Sequence, residues 1–129
     1  MMSYGIVKPR RRPRMNLRQS DRVECRGHLQ WVSGRNCCVK NADFGPGAIA
    51  CSLGRVDPHH VKTRGAGGGD EQVVPLCRAH HIQLDAPWCG PKSFEAIYKV
   101  NLAQLAADYW QLDSYHRLKY EAAHPKDQS

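Results

Sequence analysis

Two pairs of adjacent histidines are the residues of this sequence best suited to carry chemistry. The pairs are His59-His60 and His80-His81, and they bracket a glycine-rich turn, GAGGG, at 65–69. Adjacent residues on a strand point to opposite faces, so His59 and His60 cannot both bind one ion from a regular strand. We therefore expect this first pair to divide into one metal ligand and one base.

The second pair belongs to a segment with helical character. His81 and Asp85 are four residues apart, which places them on one face of a helix where they can share an ion. His80 then lies on a different face of the helix, toward the expected zinc site. The segment therefore predicts two separate metal-binding faces on one short helix.

Cysteines earlier in the chain can complete the second of these sites. Cys77 and His80, separated by two residues, form half of a tetrahedral zinc site. The other half is expected from Cys37 and Cys51, although Cys38 could replace Cys37. A closed zinc site would contribute folding energy directly. The alternative interpretation is that these cysteines are simply small buried residues.

The elements that must position these groups can be placed from turn signals and periodicity. One strand is predicted within 50–61 and a second at 72–76, separated by the glycine-rich turn. A helix is predicted over 78–85, ended by Pro87. Before them, 25–32 is a short helical or extended lead-in that packs on the core, and 41–47 is a loop.

A helical extension follows the histidine-rich core. Ser93 is expected to cap a short turn, and Asn101 a longer helix with Gln104 three residues on. Apolar residues at i, i+3, i+4 and i+7 predict one buried face on that helix. Its members are Leu102, Leu105, Ala106, Tyr109 and Leu112. Tyr115, His116 and Tyr120 lie beyond on the same run and are assigned no chemistry.

The charge of the chain favours a polyanionic partner. Nineteen Lys and Arg face 12 Asp and Glu, for a formal net charge of +7 and a pI near 9.3. DNA or RNA is the obvious partner, although a basic surface can also serve solubility alone. Residues 1–20 hold Arg10, Arg11 and Arg12 among other basic residues, and we interpret them as a flexible basic arm that neutralises phosphates or is merely solvated.

The 129 residues predict one domain, 21–129, following the arm. No stretch reaches the roughly 18 apolar residues of a membrane span, and the N-terminus lacks the apolar core of a secretory signal peptide. A cytoplasmic location is therefore expected. In a reducing compartment the six cysteines are more plausibly metal ligands and buried residues than disulfides.

Several motifs together resemble one family. They are His28-Leu29-Gln30-Trp31-Val32, Cys37, Cys51, DPHHVKTRGAGGGD, VVPLCRAHH and GPKSFEAIYKVNLAQLA, spanning roughly 25–107. This combination resembles the phage and prophage HNH nucleases related to the recombination-enhancement nucleases. The resemblance implies an α+β fold with a small ββα-metal core and structural zinc at about 25–90, and a helical extension at 91–124.

The resemblance also implies roles for individual residues in DNA hydrolysis. His59 and His81 would bind one divalent ion, and His60 would be the general base, a role suited to a neutral imidazole near pH 7. Asp85 falls where the family usually has histidine. A carboxylate suits Mg²⁺ or Mn²⁺, and Ni²⁺ is a further candidate. Gln72 falls near the asparagine that orients the base.

DNA is the partner that the resemblance implies, in a bacterial host carrying the phage or prophage, with a recombination protein as a second candidate. Lys62 and Arg64, just beyond the base, are placed to contact phosphates or are solvated loop charges. The main alternative function is a zinc-stabilised DNA-binding module with weakened catalysis, since Asp85 replaces histidine. A zinc-dependent deaminase is disfavoured because its H-x-E signature is missing.

Overall fold

The computed structural model describes residues 22–40, 46–62 and 67–125. Within these ranges the chain forms a small α+β fold of five helices and a two-stranded sheet. In chain order they are α1 (Arg26–Ser33), β1 (Val56–His60), β2 (Val73–Cys77), α2 (Arg78–Asp85), α3 (Gly90–Tyr98), α4 (Leu102–Leu112) and α5 (Ser114–Ala123). None of the helices in the described ranges combines the length and apolar character needed to cross a bilayer.

The two strands pair antiparallel, with Val56 opposite Cys77 and His60 opposite Val73. Pro58 lies directly opposite Pro75 at the centre of the pair. The Pro75 carbonyl accepts a hydrogen bond of 2.8 Å from the Cys38 amide, outside the ladder. Both prolines therefore occupy a position where the ladder needs no amide donor, and the sheet tolerates them at no cost in hydrogen bonds.

The core lies between β2 and the C-terminal helices. Every residue of β2 is buried, which is expected for a strand covered on both faces. Val74 and Leu76 pack with Leu84 of α2, Phe94 of α3 and other apolar residues. Helix α2 follows β2 without a loop, so residues at the end of the strand and the start of the helix are held in one rigid unit.

The structure corrects several element boundaries. The strand expected within 50–61 is only 56–60, preceded by irregular backbone. Ser93 does not cap a helix, because α3 already begins at Gly90 with a proline in its first two positions, where a fixed φ and a missing amide favour initiation. The predicted helix 78–85 is present as α2. The lead-in, expected to be either helical or extended, is the helix α1.

Beyond Asn101, the C-terminal extension forms two helices, α4 and α5, rather than one continuous run. The Asn101 side chain accepts a hydrogen bond from the Gln104 amide at 2.9 Å, which confirms the predicted cap of α4. Asp113 ends α4 and caps α5 by accepting from the His116 amide at 3.2 Å. Leu112, predicted to be buried, is 68% exposed because the chain turns there.

Candidate metal centres and the histidine pair on strand β1

Three thiols and one imidazole converge at the junction of β2 and α2. The Nδ1 atom of His80 lies 3.1 Å from Sγ of Cys77 and 3.6 Å from Sγ of both Cys37 and Cys51. A tetrahedral zinc with Zn–S of about 2.3 Å and Zn–N of about 2.0 Å would separate S from N by about 3.5 Å. This cluster could hold a metal ion such as zinc. Cys37 belongs to this cluster, and Cys38 does not.

The surroundings of this cluster fix the orientation of His80. The ring is fully buried, and its Nε2 donates a hydrogen bond of 3.0 Å to the carbonyl oxygen of Ile49. With Nε2 protonated, Nδ1 carries the lone pair that faces the thiols. A backbone carbonyl in this position is a usual outer partner of a metal-binding histidine.

The thiols of the cluster are held close together and influence one another's ionisation. Burial, together with the neighbouring thiols Cys37 and Cys77, raises the pKa of Cys51 to about 12. Burial opposes ionisation of Cys77 too, but hydrogen bonds from His80 and Ser52 outweigh it and lower its pKa to about 6. The lowered pKa of Cys77 favours its thiolate, the form that binds zinc.

A second group of potential ligands lies on the other side of α2. Nδ1 of His59 and Nε2 of His81 are 3.2 Å apart, and Nε2 of His81 is 3.4 Å from Oδ2 of Asp85. Ligand atoms of all three residues lie within 4.8 Å of one another and could hold a cation. Two nitrogens about 2.1 Å from one ion and 3.2 Å apart would subtend about 100° at it, between octahedral and tetrahedral values. The donor set therefore fits a divalent ion.

The ionisation of His59 agrees with a ligand role. Burial lowers its pKa, and the adjacent imidazole of His81 lowers it further. Both effects favour the neutral ring, which is the form that binds metal ions.

His60 leaves β1 on the face opposite His59 and makes a different contact. Its Nε2 donates a hydrogen bond of 2.9 Å to Oδ1 of Asp70, which is 4% exposed. The second oxygen, Oδ2, accepts from the amide of Cys25 at 2.8 Å. The partner that orients His60 is thus Asp70, whereas sequence reasoning proposed Gln72. The Oε1 atom of Gln72 is buried without a hydrogen-bond partner.

Close backbone packing brings Asp70 to His60. The Asp70 amide donates to the carbonyl of Val23 at 2.8 Å. A Cβ atom on the preceding Gly69 would lie 3.0 and 3.1 Å from backbone atoms of Val23. A side chain at position 69 would therefore push the backbone of Val23 away by a few tenths of an ångström, whereas glycine permits the close approach. The signal for Asp70 was present in the sequence as the acid that directly follows the glycine run.

A buried carboxylate lies behind the ligand group. Oδ2 of Asp57, on the same face of β1 as His59, accepts a hydrogen bond of 3.0 Å from Nδ1 of His81. Arg55 and Arg78 also approach this carboxylate, at 3.6 and 3.4 Å, while remaining 79% and 53% exposed. The hydrogen bond from His81 lowers the pKa of Asp57, and Arg78 lowers it further, so the group is anionic.

The predicted nucleic-acid contacts are only partly within the described residues. Lys62 is exposed, two residues after His60. Arg64 and the arm residues Arg10, Arg11 and Arg12 lie outside the described ranges. Arg55 and Arg78, two exposed guanidinium groups beside the His59–His81 cluster, were not singled out from the sequence.

Comparisons of the chain with protein-family models, with curated proteins and with solved structures find no match.

Proposed function

We propose that this chain is a metal-dependent endonuclease of the HNH type that hydrolyses DNA phosphodiester bonds. The observation that carries the proposal is the placement of two adjacent histidines, His59 and His60, at the end of β1. His59 faces His81 at 3.2 Å on one side of the strand, and His60 is held by Asp70 at 2.9 Å on the other. A hydrolytic site needs a cation position and a base, and consecutive residues supply one each.

The order of elements supports the same proposal. An antiparallel pair of strands runs without interruption into a helix, with the candidate cation ligands on β1 and α2. This is the arrangement that the ββα-metal resemblance implies. The thiol and imidazole cluster at the β2–α2 junction fixes the base of the same helix, so a zinc ion there would hold His81 at a constant distance from β1.

His60 is the proposed general base. Since its Nε2 proton is donated to Asp70, the lone pair of the neutral ring is on Nδ1 and can accept a proton from water. As the water oxygen bonds to phosphorus and the bond from phosphorus to the leaving oxygen breaks, the proton passes to Nδ1. The Asp70 carboxylate then stabilises the imidazolium, and the leaving oxygen takes its proton from solvent.

His59, His81 and Asp85 would hold the catalytic ion, for which Mg²⁺, Mn²⁺ and Ni²⁺ are the candidates. Such an ion stabilises the negative charge that develops on the phosphoryl and leaving oxygens. The exposed guanidinium groups of Arg55 and Arg78, with Lys62, are proposed to contact phosphates next to the scissile bond, where arginine can bind two oxygens at once.

The experiment is cleavage of supercoiled plasmid by the zinc-loaded chain with Mg²⁺, Mn²⁺ or Ni²⁺ added singly. The unaltered chain should nick the plasmid with at least one ion, and His81→Ala should lower the rate at least about 100-fold. The matched control is His124→Ala, which removes an exposed histidine after the end of α5. Its Nδ1 donates to the carbonyl oxygen of Tyr120 at 3.0 Å, and its ring stacks on Tyr120, so it contacts none of the candidate site residues.

The second candidate is a zinc-stabilised DNA-binding module with weakened catalysis. It is motivated by Asp85, which is 63% exposed at its side chain and is the least enclosed of the three proposed ligands. This candidate predicts binding to DNA that weakens steeply with salt and no cleavage with any of the three ions. Cleavage by the unaltered protein would eliminate it, and a complete lack of cleavage would eliminate the nuclease.

A further inference from the structure

Asp57 is a buried carboxylate that neither the proposed chemistry nor the cysteine cluster uses. It is 8% exposed and stands on β1 two residues before His59, on the same face of the strand. Its Oδ2 atom accepts a hydrogen bond from Nδ1 of His81 at 3.0 Å. We propose that Asp57 is a positioning residue that fixes the tautomer and direction of His81, so that Nε2 of His81 faces the cation site.

The inference rests on the groups that surround the two ring nitrogens of His81. The two nitrogens of His81 point away from each other, with Asp57 on the Nδ1 side and both His59 and Asp85 on the Nε2 side. A carboxylate can only accept from a ring nitrogen, so the proton of neutral His81 resides on Nδ1. The lone pair is then on Nε2, where the other ligand atoms gather.

Asp57 itself does not belong to the ligand group. The atoms that cluster within 4.8 Å come from His59, His81 and Asp85. The ring of His81 stands between the Asp57 carboxylate and that cluster. An anionic hydrogen-bond acceptor behind a metal-binding imidazole makes the ring a better electron donor and restricts its rotation.

The two arginines give this carboxylate a second role. Arg78 and Arg55 lie 3.4 and 3.6 Å from Asp57 oxygens, and both guanidinium groups stay largely exposed. Asp57 therefore holds two cationic groups beside the cation site while it orients His81. Because these arginines are the proposed phosphate contacts, one buried carboxylate links the ion-binding and the DNA-binding parts of the site.

This inference rests on the cation site of the proposed function. Its test measures the tautomer of His81 and the binding of Mn²⁺ in the absence of DNA. The first measurement is the tautomer of His81 in the zinc-loaded, unaltered chain, by two-dimensional ¹H–¹⁵N NMR of the imidazole nitrogens. The proton should reside on Nδ1. A ring protonated on Nε2 would overturn the inference, and this holds even if no variant folds.

The second measurement is Mn²⁺ affinity, from the EPR signal of the free ion, for the unaltered chain, Asp57→Ala and Asp57→Asn. Asp57→Ala should bind Mn²⁺ about 10- to 100-fold more weakly and shift His81 toward the Nε2-protonated form that neutral histidine prefers in water. Asp57→Asn keeps an acceptor oxygen and should fall between the two. Asp108→Asn, an exposed carboxylate on α4 bonded to Gln104, is the control and should change nothing.

These experiments distinguish failure of the role of Asp57 from failure of the proposed function. Equal Mn²⁺ affinity in the unaltered chain and Asp57→Ala would overturn the role of Asp57 and leave the nuclease proposal intact. Cleavage of plasmid without any Mn²⁺ binding at His59 and His81 would instead contradict the proposed cation site. Retention of one zinc per chain in each variant shows that the cysteine cluster, and hence the β2–α2 junction, is preserved.

Discussion

Oδ1 of Asp70 lies 2.9 Å from Nε2 of His60, and the same carboxylate accepts the Cys25 amide through Oδ2 at 2.8 Å. One buried side chain thus ties the segment before α1 to the last residue of β1. The proposed base is oriented by a residue ten positions along the chain, across the glycine turn, and by the backbone of a distant segment. This linkage makes the position of His60 depend on the packing of Val23 and Cys25.

Replacing Asp70 should impair catalysis more than replacing Gln72. Asp70→Ala removes the acceptor from His60 and is expected to lower kcat about 10- to 100-fold, with little effect on Mn²⁺ affinity. Gln72→Ala removes a buried oxygen that has no hydrogen-bond partner, so stability and kcat should change little. Plasmid cleavage under saturating Mn²⁺ compares the two variants directly. A fall in kcat for Gln72→Ala that equals or exceeds the fall for Asp70→Ala would identify Gln72 as the residue that orients His60.

Removing a thiol from the cysteine cluster should unfold the chain. Cys37→Ala eliminates one of the four candidate zinc ligands, and a structural zinc contributes an apparent binding free energy of about 10–16 kcal/mol. The free energy of unfolding of an ordinary domain is only about 5–15 kcal/mol. Circular dichroism should show loss of helix at 25 °C, and the purified variant should contain less than one zinc per chain.

Cys38→Ala is the matched control for that experiment. Cys38 packs against the core beside the cluster and is not among its ligands. The variant should keep one zinc per chain and lose no more than about 2 kcal/mol, as is usual for a modest change in core volume. A normal fold and normal zinc content in Cys37→Ala would contradict the four-ligand site.

Asp85→His should change which metal supports cleavage. A carboxylate oxygen suits Mg²⁺ and Mn²⁺, whereas a third imidazole favours Ni²⁺ and Zn²⁺. The variant is therefore expected to lose activity with Mg²⁺ and gain it with Ni²⁺, each by at least about tenfold, as measured by initial rates of plasmid nicking. Unchanged metal preference would mean that Asp85 does not bind the ion. Activity that appears only in the variant would favour the weakened DNA-binding module.

A buried histidine outside the candidate site should make the fold sensitive to acid. His28 is fully buried, its Nδ1 donates to Asp113 at 2.8 Å, and its Nε2 has no partner. Burial lowers its pKa from the usual 6.5, despite the opposing effect of Asp113. A depressed pKa in the folded state means that the unfolded chain binds the proton first. The stability due to His28 is therefore present above about pH 6.5 and is lost as the pH falls below it.

Urea unfolding at pH 7, 6 and 5 with zinc present measures this effect. One proton contributes at most about 1.4 kcal/mol per pH unit. His28→Asn keeps a donor toward Asp113 and should be less stable at pH 7 but lose less stability on acidification than the unaltered chain. Asp113, whose pKa is lowered by hydrogen bonds from His28 and His116 that outweigh burial, adds a further loss only below about pH 3.8. Parallel curves for the two proteins would contradict the role of His28.

The sequence predicted those parts of the fold and site that depend on local spacing. The two-residue separation of Cys77 and His80 and the four-residue separation of His81 and Asp85 follow from the geometry of a strand end and a helix, and the structure brings both sets together. Helix α2 has the predicted bounds because Pro87 follows it closely. The choice of Cys37 and Cys51 as partners agrees with the cluster that forms.

What the sequence did not predict depends on contacts between distant segments. Asp70 faces His60 because the backbone at Gly69 packs on Val23. Its place after the glycine run marks Asp70 as an acid next to a turn, but no local pattern indicates the segment on which that turn packs. Asp57 precedes a proline in a strand and carries no periodic signal, yet it is buried by its contact with His81. Leu112 continues a helical period in sequence, but Asp113 starts a new helix and leaves it exposed.

The most direct test of the central claim is single-turnover cleavage of plasmid by His60→Ala under saturating Mn²⁺, compared with the unaltered chain. The proposal predicts a fall in rate of about 10²- to 10⁴-fold, as for the loss of a general base, with zinc content and Mn²⁺ affinity unchanged. A His60→Ala variant that cuts DNA as fast as the unaltered chain would contradict it.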